Sequence, residues 1–180
     1  MSTDNQNAVA RRRRPFGGRR ALDPRRCNIC LDANALDRDG TANDQLIDLF
    51  LGLAGAGDIN VVVAGGVRAE VQHPRTPDKV KAAFLPQIFN LRPGLIPAQV
   101  AERNRVRTIL QGYAMPGKHS ADASHLSEAS ETGCAYFITN DKRILKKRDE
   151  LHTVLPPTLT IVTLAEFFEI FDDFEAERRL

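Results

Sequence analysis

The chain has 180 residues, 42% of them apolar and 27% charged, and a formal net charge of +2. These are the proportions of an ordinary globular protein with one full core, too short for two comfortable domains. No apolar run reaches bilayer-spanning length, and the N-terminal arginines are not followed by the apolar stretch of a secretory signal, so the expectation is a cytoplasmic protein with no membrane segment.

Charge is spread unevenly. Residues 1–26 hold eight arginines against two aspartates, a net +6, and the remainder of the chain is net −4. The stretch "RRRRPFGGRR" has too little apolar surface to offset chain entropy, so residues 1–26 are expected to be a disordered basic tail, and residues 27–180 the folded domain. Arg11, Arg12, Arg13, Arg14, Arg19 and Arg20 suit electrostatic attraction to nucleic acid; a merely solvated tail is the alternative.

From Asn28 onward strands alternate with helices. "NICLD" is an apolar strand ending on Asp32. "NDQLIDLFLGLAGAG" has helical apolar spacing and stops in glycines, and "INVVVAGG" is the β-branched run of a strand buried on both faces. "TPDKVKAAFLPQIF" predicts a helix capped by Thr76, "PAQVAERNRVRTILQGY" a helix beginning at Pro97, and "SADASHLSEASETG" a helix capped by Ser120. "AYFIT" and "LTIVT" are further strands, and "TLAEFFEIF" opens a helix on the capping box of Thr163 and Glu166. Strands separated by helices predict an α/β protein, a three-layer α/β/α sandwich around a small, mostly parallel sheet.

Three cysteines fit a reducing compartment. The lone C-x-x-C of Cys27 and Cys30 lacks the second ligand pair of a zinc site, so all three read as strand or core residues.

In an open parallel sheet, sites form at the carboxyl ends of the strands. Asp32 ends the first strand, Glu70 follows the second, and Asp141 follows the third. Asp122 lies in the first turn of the helix that runs antiparallel into the third strand, over the same edge. Each acid alone has an ordinary explanation as a cap, a turn former or a surface residue. Four on one rim repel one another unless a cation sits among them. Carboxylates without clustered His or Cys suit Mg²⁺ or Mn²⁺ and the hydrolysis of a phosphodiester. Asn34 and Thr139 stand two residues from Asp32 and Asp141 and can orient them. His125 shares the helix face of Asp122 and reads as a partly buried, hydrogen-bonded side chain. Lys142 and Arg143, just past Asp141, are a solvated face that can also guide a phosphate backbone.

"CLDANAL", "RAEV" and "ADASHLSEASETGCAYFITNDKRIL" together resemble the PIN-domain ribonucleases, over roughly residues 28–171. The resemblance implies that fold, Mg²⁺- or Mn²⁺-dependent cleavage of RNA, and metal-binding, catalytic roles for Asp32, Glu70, Asp122 and Asp141. Many small members are toxins of the VapC kind, which implies an antitoxin partner and a homodimer; the arginine-rich N-terminus and acidic C-terminus lie outside that toxin pattern. The competing expectation is a non-catalytic RNA-binding module that uses its basic tail. A phosphatase of the haloacid dehalogenase type would need an Asp where the chain has Asn34.

Overall fold

The structure, a computed structural model, describes residues 19–76, 78, 81, 82 and 94–179. Four short strands form one parallel sheet in the order β2-β1-β3-β4, with β1 Asn28–Leu31, β2 Asn60–Val63, β3 Cys134–Ile138 and β4 Thr160–Val162. Ile29 stands opposite Val61 on one side and Tyr136 on the other, so β1 is paired along both edges. Its side chains and those of β3 are almost wholly buried, as continuous apolar runs in a covered parallel sheet require.

Helices cover both faces. Helix α1 (Asn43–Gly55) packs on α7 (Leu164–Arg178); α4 (Ser120–Glu131) packs on β3, on α2 (Gly65–Val71) and along α3 (Pro97–Gln111). Short helices α5 (Lys142–Lys146) and α6 (Arg148–His152) join β3 to β4. The result is the expected three-layer α/β/α sandwich. Between the sheet and the α1/α7 layer, Phe167 meets Phe50 at 5.6 Å and Tyr136 at 5.7 Å, both edge-on, a geometry that suits aromatic quadrupoles. Cys30 and Cys134 are buried thiols, and burial pushes the half-buried Cys27 thiol up to about 12. Among the described residues, no helix is long and apolar enough to cross a membrane.

Local differences from the sequence reading have physical causes. The second strand ends at Val63, and Gly65 and Gly66 open α2 instead of extending it. The α4 cap is His119, in left-handed conformation at φ 69°, with Ser120 inside the helix. The expected Thr163–Glu166 box forms: Thr163 Oγ1 accepts from Glu166 N at 3.2 Å, and Glu166 Oε2 accepts from Thr163 N at 2.7 Å. Most of the helix expected from Thr76 lies outside the described residues.

The largest difference is at the boundary of the basic tail. Residues 1–18, with Arg11, Arg12, Arg13 and Arg14, lie outside the described residues, but residues 19–26 are a strap bound across the amino-terminal edge of the sheet. The Arg19 guanidinium donates to the backbone carbonyls of His152, Leu155, Pro156 and Leu159. Ala21 and Pro24 are buried, Leu22 O accepts from the Tyr136 hydroxyl, and Pro24–Arg26 form a 3₁₀ turn capped by Asp23. Arg25 pairs with Asp58 and Glu175 and lies 5.1 Å over the Phe171 ring; Asp23 pairs with Arg178 at 2.7 Å. The acidic C-terminal stretch continues α7 to Arg178 and supplies Glu175, so part of the positive stretch is neutralised within the fold.

Candidate functional site

With all four strands parallel, their carboxyl ends meet at one rim. Asp32 N–H donates to Ile138 O at 2.9 Å and Thr139 N–H to Val162 O at 3.0 Å, so both residues extend the ladder and are fixed by it. Thr139 is fully buried and uses both capacities of its hydroxyl. It donates to Asp32 Oδ2 at 2.7 Å and accepts from the Asp141 backbone N–H at 3.0 Å. One side chain therefore sets the carboxylate at the end of β1 and the backbone that presents the acid after β3.

Asp32 is 3% exposed and accepts two further bonds on Oδ1, from Ala33 N–H at 2.9 Å and from His125 Nδ1 at 3.1 Å. Asp141 caps α5, accepting from Arg143 N at 2.6 Å and Ile144 N at 3.1 Å, both on Oδ1. Asn140 donates twice to Asn34, from its backbone N–H to Oδ1 at 3.0 Å and from its Nδ2 to the backbone carbonyl at 3.2 Å. These two bonds tie the two strand-end loops together.

Helix α4 brings a polar stripe to the same rim. Asp122 is in its first turn, as expected, with Oδ2 3.3 Å from His119 Nδ1. One turn on, His125 is fully buried against Asp32, deeper and more central than its spacing suggested. Another turn on, Glu128 accepts from Gly66 N–H at 3.3 Å. A Cβ on Gly66 would stand 2.8 Å from His125 Cδ2, so glycine is what lets α2 approach the imidazole this closely.

Glu70 lies on α2, just past β2, but its side chain is outside the described residues. Among the described residues, no three His, Cys, Asp or Glu side chains come together as a group able to hold a metal ion. The structure thus joins Asp32 to His125 and, through Thr139, to Asp141, and leaves Asp122 turned to His119. Of the basic residues expected at nucleic acid, Arg20 and Lys142 are exposed. Arg19 and Arg143 instead donate to backbone carbonyls, Arg143 to Leu110 O at 3.4 Å.

Sequence reasoning missed Asn140 and Glu128. The signal for Glu128 was present in the D-x-x-H-x-x-E spacing of α4, which sets Asp122, His125 and Glu128 along one stripe. Comparison with models of known families, with curated proteins and with solved structures finds no match.

Proposed function

We propose that the chain is a metal-dependent endoribonuclease of PIN type, cleaving RNA at the carboxyl rim of its sheet. The observation that carries this reading is the Thr139 hydroxyl, which couples Asp32 and the backbone of Asp141 across adjacent parallel strands. The donor set is all hard oxygen. Asp32 has acceptor capacity beyond its three bonds, and Asp141 makes both cap bonds through one oxygen. Asp32 and Asp141 would hold Mg²⁺ or Mn²⁺, with Asp122 and Glu70 as the further carboxylates. A bound cation would supply polarisation of the phosphate. Thr139, His125 and the Ala33 N–H hold the Asp32 carboxylate in one orientation, and exposed Lys142 beside Asp141 attracts the phosphate backbone. A toxin role, with an antitoxin and a second copy as partners, is supported by the sequence resemblance alone.

The second reading, an RNA-binding module without cleavage, is favoured by the lack of a three-ligand group among the described residues. Incubation with total RNA in Mn²⁺ or in chelator separates the two: ordered cleavage in Mn²⁺ alone is expected. Asp141→Asn should abolish that cleavage, by about a hundredfold or more. In chelator it should melt no lower than the parent, because Asn caps nearly as well as Asp. Added Mg²⁺ should stabilise the parent more than the variant. Retained cleavage with an unchanged metal response would sink the nuclease reading.

A further inference from the structure

The turn between α3 and α4 presents an aromatic ring with no partner among the described residues. Tyr113 has a relative exposure of 110% and Met115 of 79%, the two most exposed large apolar side chains among the described residues. A solvated Tyr on a mobile tip would mean little, but this tip is built. Gly112, Gly117 and His119 all take positive φ, at 51°, 83° and 69°. Backbone bonds from Ala114 N to Gln111 O, Lys118 N to Met115 O and Ser120 N to Gly117 O make it a chain of closed turns. The C-terminal turn of α3 is held from below, where Lys147 Nζ donates to Ile109 O and Arg143 to Leu110 O.

Those two anchors fix the location. Arg143 lies two residues past Asp141 in α5, and α4 begins at Ser120 with Asp122 in its first turn. The ring therefore stands on the same rim as the strand-end acids. Lys118 belongs to the same turn, and Lys142 and Lys146 stand next in sequence to the anchoring Arg143 and Lys147; all three are exposed and make no ion pair among the described residues.

We propose that Tyr113 is a stacking platform for an unpaired base of single-stranded RNA, with Lys118, Lys142 and Lys146 contacting the flanking phosphates. An exposed ring beside unpaired cations is the combination that single strands require, since a base within a duplex has no open face to offer. This rests on the ribonuclease reading for its RNA and adds to it the side chains that would hold the strand.

The chain has no tryptophan, so Tyr113→Trp introduces a single reporter at the platform. In chelator, a single-stranded oligoribonucleotide should quench its fluorescence. The control Leu49→Trp, on α1 in the other helix layer at a residue 58% exposed, should not respond. Tyr113→Ala should weaken single-strand binding about tenfold or more and leave binding of the matching duplex unchanged. Cleavage in Mn²⁺ is followed in parallel. Equal affinity of Tyr113→Ala and parent, or no binding by the parent, overturns the platform. Metal-dependent cleavage alongside that result leaves the nuclease reading standing. Quenching without cleavage in any metal supports the platform and removes the nuclease.

Discussion

The two edges of the sheet use basic side chains in opposite ways. At the amino edge Arg19 is committed to four carbonyls and Arg25 to Asp58, Glu175 and the Phe171 ring. At the carboxyl edge Arg143 and Lys147 anchor α3, while Lys118, Lys142 and Lys146 stay exposed and make no ion pair among the described residues. Counting charge along the sequence points to the N-terminal arginines as the nucleic-acid surface. Counting partners removes Arg19 and Arg25 from that expectation, because a cation already bound to protein oxygens has little left for phosphate.

The sharpest way to break this contrast is Arg19→Ala. Four carbonyls lose a charged donor, so a loss of about 2–3 kcal/mol is expected by urea unfolding, with RNA binding unchanged at equal folded fraction. Unaltered stability with weakened binding would place Arg19 in the nucleic-acid surface after all. A second variant removes residues 1–18, which carry Arg11, Arg12, Arg13 and Arg14. It should reduce the slope of log affinity against log salt by about 3, since each lost phosphate contact on a single strand removes roughly 0.7. An unchanged slope would mean those arginines serve another partner.

At the carboxyl edge, Gly66→Ala forces a methyl into the buried His125 ring. Destabilisation of about 1–3 kcal/mol is expected, with loss of any metal-dependent cleavage as Asp32 loses its partner. Normal melting and activity would show that His125 can move aside at little cost.

A smaller effect tests the strap from the other side of its clamp. Burial, then the neighbouring Arg19 and Arg148, lower His152 from 6.5 to about 4. Its Nε2 accepts from Ile161 N–H at 3.2 Å, which requires the neutral ring. Above pH 6.5 the ring is neutral folded and unfolded. Between about pH 6.5 and 4 only the unfolded chain takes up the proton, so stability falls as pH falls and levels off below. A sealed site would give roughly 3 kcal/mol; a half-buried ring gives about 1. His152→Gln keeps an acceptor and should flatten that part of the pH profile, read as melting temperature from pH 7 to 4. The least effect on stability, under about 0.5 kcal/mol, is expected from Lys142→Ala with Lys146→Ala, which should nevertheless weaken RNA binding.

The strand ends at the carboxyl edge were legible in the sequence because local rules govern them. Apolar runs that stop on an acid mark strand ends, and Thr139 and Asn34 could be placed by counting two residues from those acids. The depth of His125 was not legible, since its partner Asp32 is 93 residues away and no spacing encodes that contact. The strap was misread for a related reason. Its composition is that of a segment that cannot bury itself, yet it folds by borrowing carbonyls and acids from α6, α7 and the loop before β4. Glu70 is legible as an acid after β2, and its side chain lies outside the described residues.

The strap also orders events during synthesis. Arg19 leaves the ribosome early, but its carbonyl partners lie 133 to 140 residues downstream, and the Arg178 partner of Asp23 lies 155 downstream. Strand β1, at the centre of the sheet, waits for β3 to be made. A nascent chain that lacks β3 therefore holds β1 and Arg19 without their final partners, one that lacks α7 still holds Asp23 and Arg25 without Arg178 and Glu175, and contacts so distant in sequence close slowly. Chains stalled before residue 134 should be cut within residues 19–31 by a protease that spares the released protein, so the strap is left without its clamp for most of its time on the ribosome.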